Sequence, residues 1–354
     1  MPESVAAPIE AFIAPQEARI ALTREVSPAF NRCELTHLER EPIDLALARQ
    51  QHRGYELRLQ ELGCRLERLP AEPDFPDSVF VEDVAVVLDE IAVITRPGAT
   101  SRRGERSSVA RKLETYRPLA HIRAPGLLDG GDVLQVARHL YVGRSGRTNT
   151  EGIDQLRELV APSDYSVTAV EFGGCLHLKS AATRVAPETL LINPDWVDAA
   201  AFDGVEVLTI DPKEPAAANV LVIDSQALVP AQYPRTRARL ERAGLDVRTV
   251  ELSELIKAEA GVTCCSLVFR AATASPAFEL LTRERCHLCD EMKAVLDAVL
   301  PALGLRYETV DVDRDAALRD RFGDTVPVLR RDGKVVAKVR VGRRQLLRIA
   351  RRRR

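Results

Sequence analysis

A cysteine in GVTCCS (Cys264), a histidine in GGCLHLKS (His177) and an aspartate in LLDGGDVL (Asp129) can serve as nucleophile, acid–base and orienting partner. Three more acids, Asp77, Glu82 and Asp83, fall within FPDSVFVEDVAVV. Negative charge raises a thiol's pKa, so this many carboxylates would hinder attack on an ester or amide. They suit a cationic electrophile instead. A guanidinium is planar, and its fork of N–H groups matches carboxylates in bidentate fashion. Arg102 in TRPGATSRRGE and Arg147 in GRSGRTN suit capture of a carboxylate at the other end of the ligand. The composite ligand is an α-amino acid with a guanidino tail. On this reading Cys264 rests as a thiol and is activated when the cation arrives. His177, held by Asp129, protonates the leaving amine and then activates water.

Each residue also has a plainer reading. Cysteine is among the most buried residue types, and Arg102 beside Arg103 fits a solvated charged face. A lone histidine is more often structural, and DGGD (129–132) alone is a tight turn. What favours chemistry is that these residues open successive repeating units. Strand alternation sends Glu82 and Asp83 to opposite faces, with Asp83 the one toward the ligand, and turns Cys265 into the core. Cys33, Glu34 and His37 read as structural or solvent-facing, and Cys64 and Cys175 as small buried hydrophobes.

The units run from residue 79 to 251, each a hairpin, a helix and a third strand. The first has hairpin 79–87 with 91–95, helix 105–116 and strand 118–123. The second has hairpin 133–142, a helix opening near 148–152 and strand 165–171. The third runs from 177 through a short helix near 195–202 to strand 205–210. The fourth has hairpin 219–229, helix 234–244 and strand 246–251. A fifth needs both chain ends: strand 263–269 with 19–23, helix 42–62 and strand 65–69. Closure by the ends leaves no open edge at the join, which points to a five-bladed ββαβ propeller. Residues about 50 apart in sequence then share one axis.

The stretch 271–276, AATASP, reads as a linker, dividing a propeller of residues 1–270 from a smaller unit, 277–354. There the order β-α-β-α-β-β-α, with Cys286-x-x-Cys289 after the first strand, is the thioredoxin-like pattern. Seven cysteines in 354 residues argue against a disulfide framework. A formal net charge of −2 gives no reason to expect nucleic acid or an anionic membrane as partner. No apolar run suffices to span a bilayer and no signal peptide is apparent, so the expected location is the cytoplasm. The chemistry calls for no cofactor and no metal.

At the motifs FPDSVFVEDVAVV, ITRPGATSRR, LLDGGDVL, GRSGRTN, LHLKS and GVTCCS the sequence resembles the dimethylarginine dimethylaminohydrolase family of the guanidino-modifying superfamily, over residues 17–270. The resemblance implies the five-bladed pentein propeller. It also implies hydrolysis of asymmetric dimethylarginine to citrulline and dimethylamine through a Cys264 thiouronium intermediate. By motif match, Cys264, His177 and Asp129 take the catalytic roles. Asp77, Glu82 and Asp83 take guanidinium-side positions, and Arg102 and Arg147 carboxylate-side positions. The family's substrate lid corresponds to VSPAFNRCELTHLEREP (26–42), without the large helical insertion of a typical arginine deiminase. Alternatives are a deiminase or amidinotransferase acting on arginine or another guanidino acid. LLTRERCHLCDEMK with TVPVL resembles glutaredoxin-like proteins. That implies Cys286 as reactive thiol, Cys289 as resolving thiol, Pro327 as the cis-proline, and glutathione or another thiol reductant as partner. A thiol–disulfide oxidoreductase is therefore the alternative from a different class.

Overall fold

Five three-stranded sheets account for the strands between Arg19 and Arg270 in this computed structural model, which describes residues 19–271, 278–300, 305, 307–331 and 333–351. Blade one is Ala85–Val87, Ala92–Ile94 and Leu119–His121, and blade two is Val133–Val136, His139–Arg144 and Ser166–Glu171. Blade three is Ala182–Ala186, Thr189–Ile192 and Glu206–Thr209, and blade four is Leu221–Ile223, Gln226–Pro230 and Asp246–Val250. Blade five joins Leu267–Arg270 to Arg19–Arg24 and Arg65–Leu69, so the two ends of the segment share one sheet.

In every blade the first strand pairs antiparallel with the second, and the third runs parallel to the second. Tight hairpins permit the first pairing, whereas the parallel one needs a crossover. In blade two that crossover is helix Thr150–Val160, where Asn149 caps the N-terminus by accepting from Gly152 N. First strands of neighbouring blades lie side by side, two against three, three against four, and five against one. Apolar side chains fill the wedges between blades: Ile20, Leu22, Ile94 and Leu267 between five and one, and Val93, Leu140 and Leu156 between one and two. Burying each of these contributes about 1.5–3 kcal/mol. The result is a five-bladed α/β propeller.

Several expected elements differ in detail. The hairpin expected from residue 79 begins only at Ala85, because Val81–Val84 form a 3-10 turn. The strand expected from 263 begins at Leu267, leaving Cys264 and Cys265 in a turn. Alternation along a strand therefore does not govern Glu82 against Asp83, or Cys264 against Cys265. The helix expected over 105–116 is Arg106–Leu113, preceded by a 3-10 segment, Thr100–Glu105. The short helix near 195–202 is only a 3-10 turn, Ala199–Ala201. Inner strands must be short for five of them to meet at one axis, so polar residues at their starts coil into turns.

The remaining described residues form a four-stranded sheet in the order Tyr307–Asp311, Phe278–Thr282, Val328–Arg331, Lys334–Lys338. The first pairing is parallel and the other two antiparallel, with helices His287–Val299, Ala316–Phe322 and Arg343–Arg351, the thioredoxin-like arrangement. Of the expected linker, residues 272–276 lie outside the described residues, as do Arg352, Arg353 and Arg354. No described helix is long and apolar enough to cross a membrane.

Helix Leu45–Glu61 ties the ring closed. It starts at Asp44, whose side chain accepts from Ala46 N and Leu47 N. From it the fully buried Tyr55 donates its hydroxyl proton to the Val262 carbonyl at 2.7 Å and lies 2.7 Å from Ser266 Oγ. These bonds brace the turn carrying Cys264. Tyr55→Phe should leave the Val262 carbonyl unpaired in the interior and cost about 1–3 kcal/mol. An unchanged denaturant midpoint would show that the bond contributes nothing.

Candidate active site

Each inner strand is preceded by a turn, and those turns carry the site. Glu82 and Asp83 lie in the 3-10 turn before blade one, and Asp129 heads the turn Gly130–Asp132 before blade two. His177 precedes the short helix Leu178–Ala181 leading into blade three. Asn219 precedes blade four, and Thr263 and Cys264 precede blade five. Adjacent turns bond across the axis: Glu82 N donates to the Cys264 carbonyl at 3.2 Å, and Asn219 Oδ1 accepts from Thr263 N at 3.0 Å.

His177 Nε2 lies 3.1 Å from Asp129 Oδ2, and its Nδ1 lies 3.7 Å from Asp83 Oδ1. Burial alone would favour the neutral imidazole. The Asp83 charge and the Asp129 bond outweigh it and lift the His177 pKa to about 9. The imidazole is therefore a proton donor near neutrality. Asp129 is fully buried, and its Oδ1 accepts from Gly98 N at 3.0 Å. Close packing requires Gly131, since a Cβ there would stand 2.6 Å from His177 Nδ1 and 2.7 Å from Asp83 Oδ1.

Cys264 Sγ accepts from Gly261 N at 3.3 Å. Burial and then the Glu82 and Asp83 carboxylates push its pKa up to about 12, so it rests as a thiol. Cys265 is fully buried in the apolar cluster with Tyr55, Leu59 and Val262. Asp83 is held below the usual carboxylate range: burial opposes ionisation, but the charges of His177 and Arg102 overcome it. Glu82 is turned away, pairing with Lys179 and accepting from Thr263 Oγ1 at 2.7 Å. Burial raises its pKa despite Lys179. Asp77 is raised as well, by burial first, against the pull of Arg102.

The two arginines differ. Arg102 is no solvated surface residue but is buried at 4% exposure. Its guanidinium bonds Asp83 at 2.6 Å, Glu105 at 2.9 Å and the carbonyls of Asp77 and Phe80. In this conformation it braces acids, and it also lines the cavity described below. Arg147 is less committed, with Nη2 at 3.3 Å from Thr36 Oγ1 and 3.5 Å from Glu34 Oε2.

Asp77, Asp83, Arg102, Arg147, His177 and Cys264 line one cavity of about 20 Å³, together with Glu34, Ala258 and Glu259. That volume admits about one water molecule. The lid is anchored at Glu259, whose Oε1 accepts from the backbone N–H groups of Thr36, His37 and Leu38. Glu259 does this from a left-handed backbone at φ 60°. Glu82, Lys179 and Thr263 face a separate channel of about 530 Å³ between the inner strands.

Sequence reasoning missed Lys179, Asn219, Glu105 and Asp132. Asp132 accepts from Leu178 N at 2.9 Å and Thr148 Oγ1 at 2.6 Å, tethering the segments beside His177 and Asp129. Its carboxyl is raised by burial to about 6. Position within the repeat marks Asn219, and the LHLKS motif contains Lys179. Nothing local marks Glu105. Asp83, Asp129 and His177 could each offer one ligand atom to a metal, these lying within 4.8 Å of one another. A metal-bound histidine must first lose its proton, which this environment holds tightly.

In the C-terminal unit Cys286 caps helix His287–Val299 and is joined to Cys289 by a disulfide, with a Cα–Cα distance of 5.3 Å. Val326–Pro327 is cis, and Pro327 is buried.

Comparison with known proteins agrees with both halves. Residues 278–349 match the family model described as Glutaredoxin-like domain. N(G),N(G)-dimethylarginine dimethylaminohydrolase of Pseudomonas aeruginosa is 37% identical over 228 residues, covering 64% of this chain and 90% of that protein. The enzyme of the same name from Streptomyces coelicolor is 39% identical over 254 residues, covering 71% and 96%. The solved structure of the P. aeruginosa protein, as a cysteine-to-serine mutant complexed with citrulline, superposes with a TM-score of 0.68 at 34% identity. That match covers 70% of this chain and 98% of the solved one.

The His177 pKa is directly measurable. Its ring resonances should titrate near pH 9, and Asp129→Asn should lower that value by about 1–3 units. Because the folded pKa is raised, the bound proton's stabilisation is complete below pH 6.5 and is lost as pH rises through about 9. A wild-type midpoint at or below pH 6.5 would contradict the geometry.

Proposed function

This chain belongs to the dimethylarginine dimethylaminohydrolase family, and from that membership we propose that it hydrolyses asymmetric dimethylarginine to citrulline and dimethylamine through a covalent adduct on Cys264. As a member it is a hydrolase of amidino C–N bonds. The observation that carries the residue assignment is the shared cavity of Cys264, His177 and Asp83, a thiol beside a protonated imidazole and a buried carboxylate.

The substrate guanidinium lies against Asp83 and Asp77. Its positive charge offsets the carboxylates that hold the Cys264 thiol near 12, and the thiol releases its proton to solvent. The thiolate attacks the guanidinium carbon, forming a C–S bond. His177, kept charged by Asp83 and Asp129, donates its proton to the dimethylamino nitrogen as that C–N bond breaks. The neutral imidazole then takes a proton from water, whose oxygen attacks the thiouronium carbon. The C–S bond breaks as the new hydroxyl group's proton passes to the departing sulfur, regenerating the Cys264 thiol and releasing citrulline. The charge the site prepares belongs to the reacting group, so no external cofactor enters the scheme.

Arg147 takes the substrate carboxylate, and Arg102 fixes Asp83 and Asp77. Glu82, bonded to Lys179 and Thr263, supports the turn beneath Cys264. The C-terminal unit is a separate dithiol module, residues 277–354, in which Cys286 reacts first, Cys289 resolves, and glutathione or a similar thiol is the reductant. The match to the glutaredoxin-like model and the disulfide at a helix N-terminus support that assignment. Location in the reducing cytoplasm fits a thiol nucleophile.

Two measurements check this reading. The purified chain should release dimethylamine and citrulline in equal amounts, and Cys264→Ser should reduce the rate by at least about a thousandfold, as loss of a nucleophile does. Ammonia from free arginine, with no dimethylamine, would move the specificity while keeping the mechanism. Separately, a non-reactive guanidinium ligand should lower the Cys264 thiol pKa from about 12. An unchanged thiol titration under saturating ligand would reject activation by the substrate's charge.

A further inference from the structure

The channel between the inner strands holds a cation without a counter-charge. Its wall carries the basic residues Arg19, Lys179, Arg184 and Arg270 and the acids Glu82, Asp89 and Asp224. Arg19 is gripped by both Asp224 oxygens at 2.6 Å, and Lys179 pairs with Glu82. Arg270 and Asp89 are exposed, so water and salt screen them. Arg184 remains. It sits on the inner strand of blade three, Ala182–Ala186, and is partly buried. Among the described residues its guanidinium has no hydrogen bond and no ion pair. Burial lowers its pKa, and no neighbouring acid offsets the loss of water.

We propose that this channel is a binding site for a small oxyanion, a phosphate or a carboxylate, held by the Arg184 guanidinium. Five N–H donors in a rigid fork match two oxygens of either group. Lys179 faces the same channel and gives one of its N–H groups to Glu82, which leaves it donors for a second contact. The volume of about 530 Å³ falls within the range of about 300–1,000 Å³ usual for small-molecule sites. A bound anion offsets the cost of holding a lone cation partly out of water, the same cost that makes buried charges occur in pairs. Channel and catalytic cavity have no lining residue in common, so the anion and the substrate of Cys264 do not compete for one place.

The test is calorimetric titration of the full-length protein with inorganic phosphate and, separately, with succinate, each at an ionic strength held constant with sodium chloride. Saturable binding of phosphate identifies phosphate compounds as the ligand class, and saturable binding of succinate identifies carboxylates. Arg184→Gln should weaken that binding by about 10- to 100-fold, as expected for losing hydrogen bonds between charged groups. Arg184→Lys, which keeps the charge without the fork, should weaken it less. In chloride alone Arg184→Gln should melt no lower than wild type, because the cation it removes is unpaired. The rise in Tm that the anion gives wild type should vanish in that variant. Arg147→Gln, in the catalytic cavity, should bind the anion as wild type does. Binding lost in Arg147→Gln and kept in Arg184→Gln would put the anion beside Cys264 and overturn the proposal. So would equal affinity in wild type and Arg184→Gln, or no saturable binding of either anion.

Discussion

Asp83 lies between two buried cations, with Arg102 at 2.6 Å and His177 at 3.7 Å, and the chemistry of the site follows from keeping that carboxylate ionised out of water. An isolated charge there would neutralise itself by binding a proton. Arg102 prevents this and is itself held by Glu105, whose carboxyl burial lifts to about 7. The ionised Asp83 then holds a proton on His177, and burial, with Glu82 and then Asp83, keeps one on Cys264. Both His177 and Cys264 are thus held in their protonated forms.

The ring explains how so many charged groups come to share so little space. Each blade delivers one turn to the axis, and each turn exposes backbone N–H groups and one or two side chains. The turns satisfy one another: blade one bonds blade five through Glu82 and Cys264, and blade four bonds blade five through Asn219 and Thr263. The Glu82–Lys179 pair and Thr263 line the channel on the other side, while Asp83, His177 and Cys264 line the small cavity. Neighbouring acids in one 3-10 turn thereby acquire different duties.

A lid follows from the same electrostatics. Charges among these carboxylates, His177 and Arg102 interact most strongly where water is excluded. Segment 26–42 provides the cover, fastened by Glu259 on one side and by Asp77 through Glu34 N on the other. The dithiol unit has its own sheet and its own apolar core, with Phe278, Leu280, Met292 and Leu296.

The repeat of hairpin, helix and strand was legible in the sequence because apolar periodicity and turn residues act over short distances. The pairing of 19–24 with 267–270 followed once the ring was assumed. Cys264, His177, Asp129 and the acids of FPDSVFVEDVAVV could be singled out because residue type limits chemistry, and a thiol amid carboxylates suits a cation. Sequence could not say that residues 81–84 and 263–266 turn instead of extending, since inner-strand length is set by the convergence of five blades. Nor could it reveal that Arg102 serves Asp83 and Glu105, that Asp132 tethers His177 and Asp129, or that Glu34 meets Arg147. Each of these bonds joins groups whose partners lie in other turns or in the lid. Sequence determined which groups could react; only the closed ring decided which charges are buried together, because desolvation and Coulomb energy depend on distance in space.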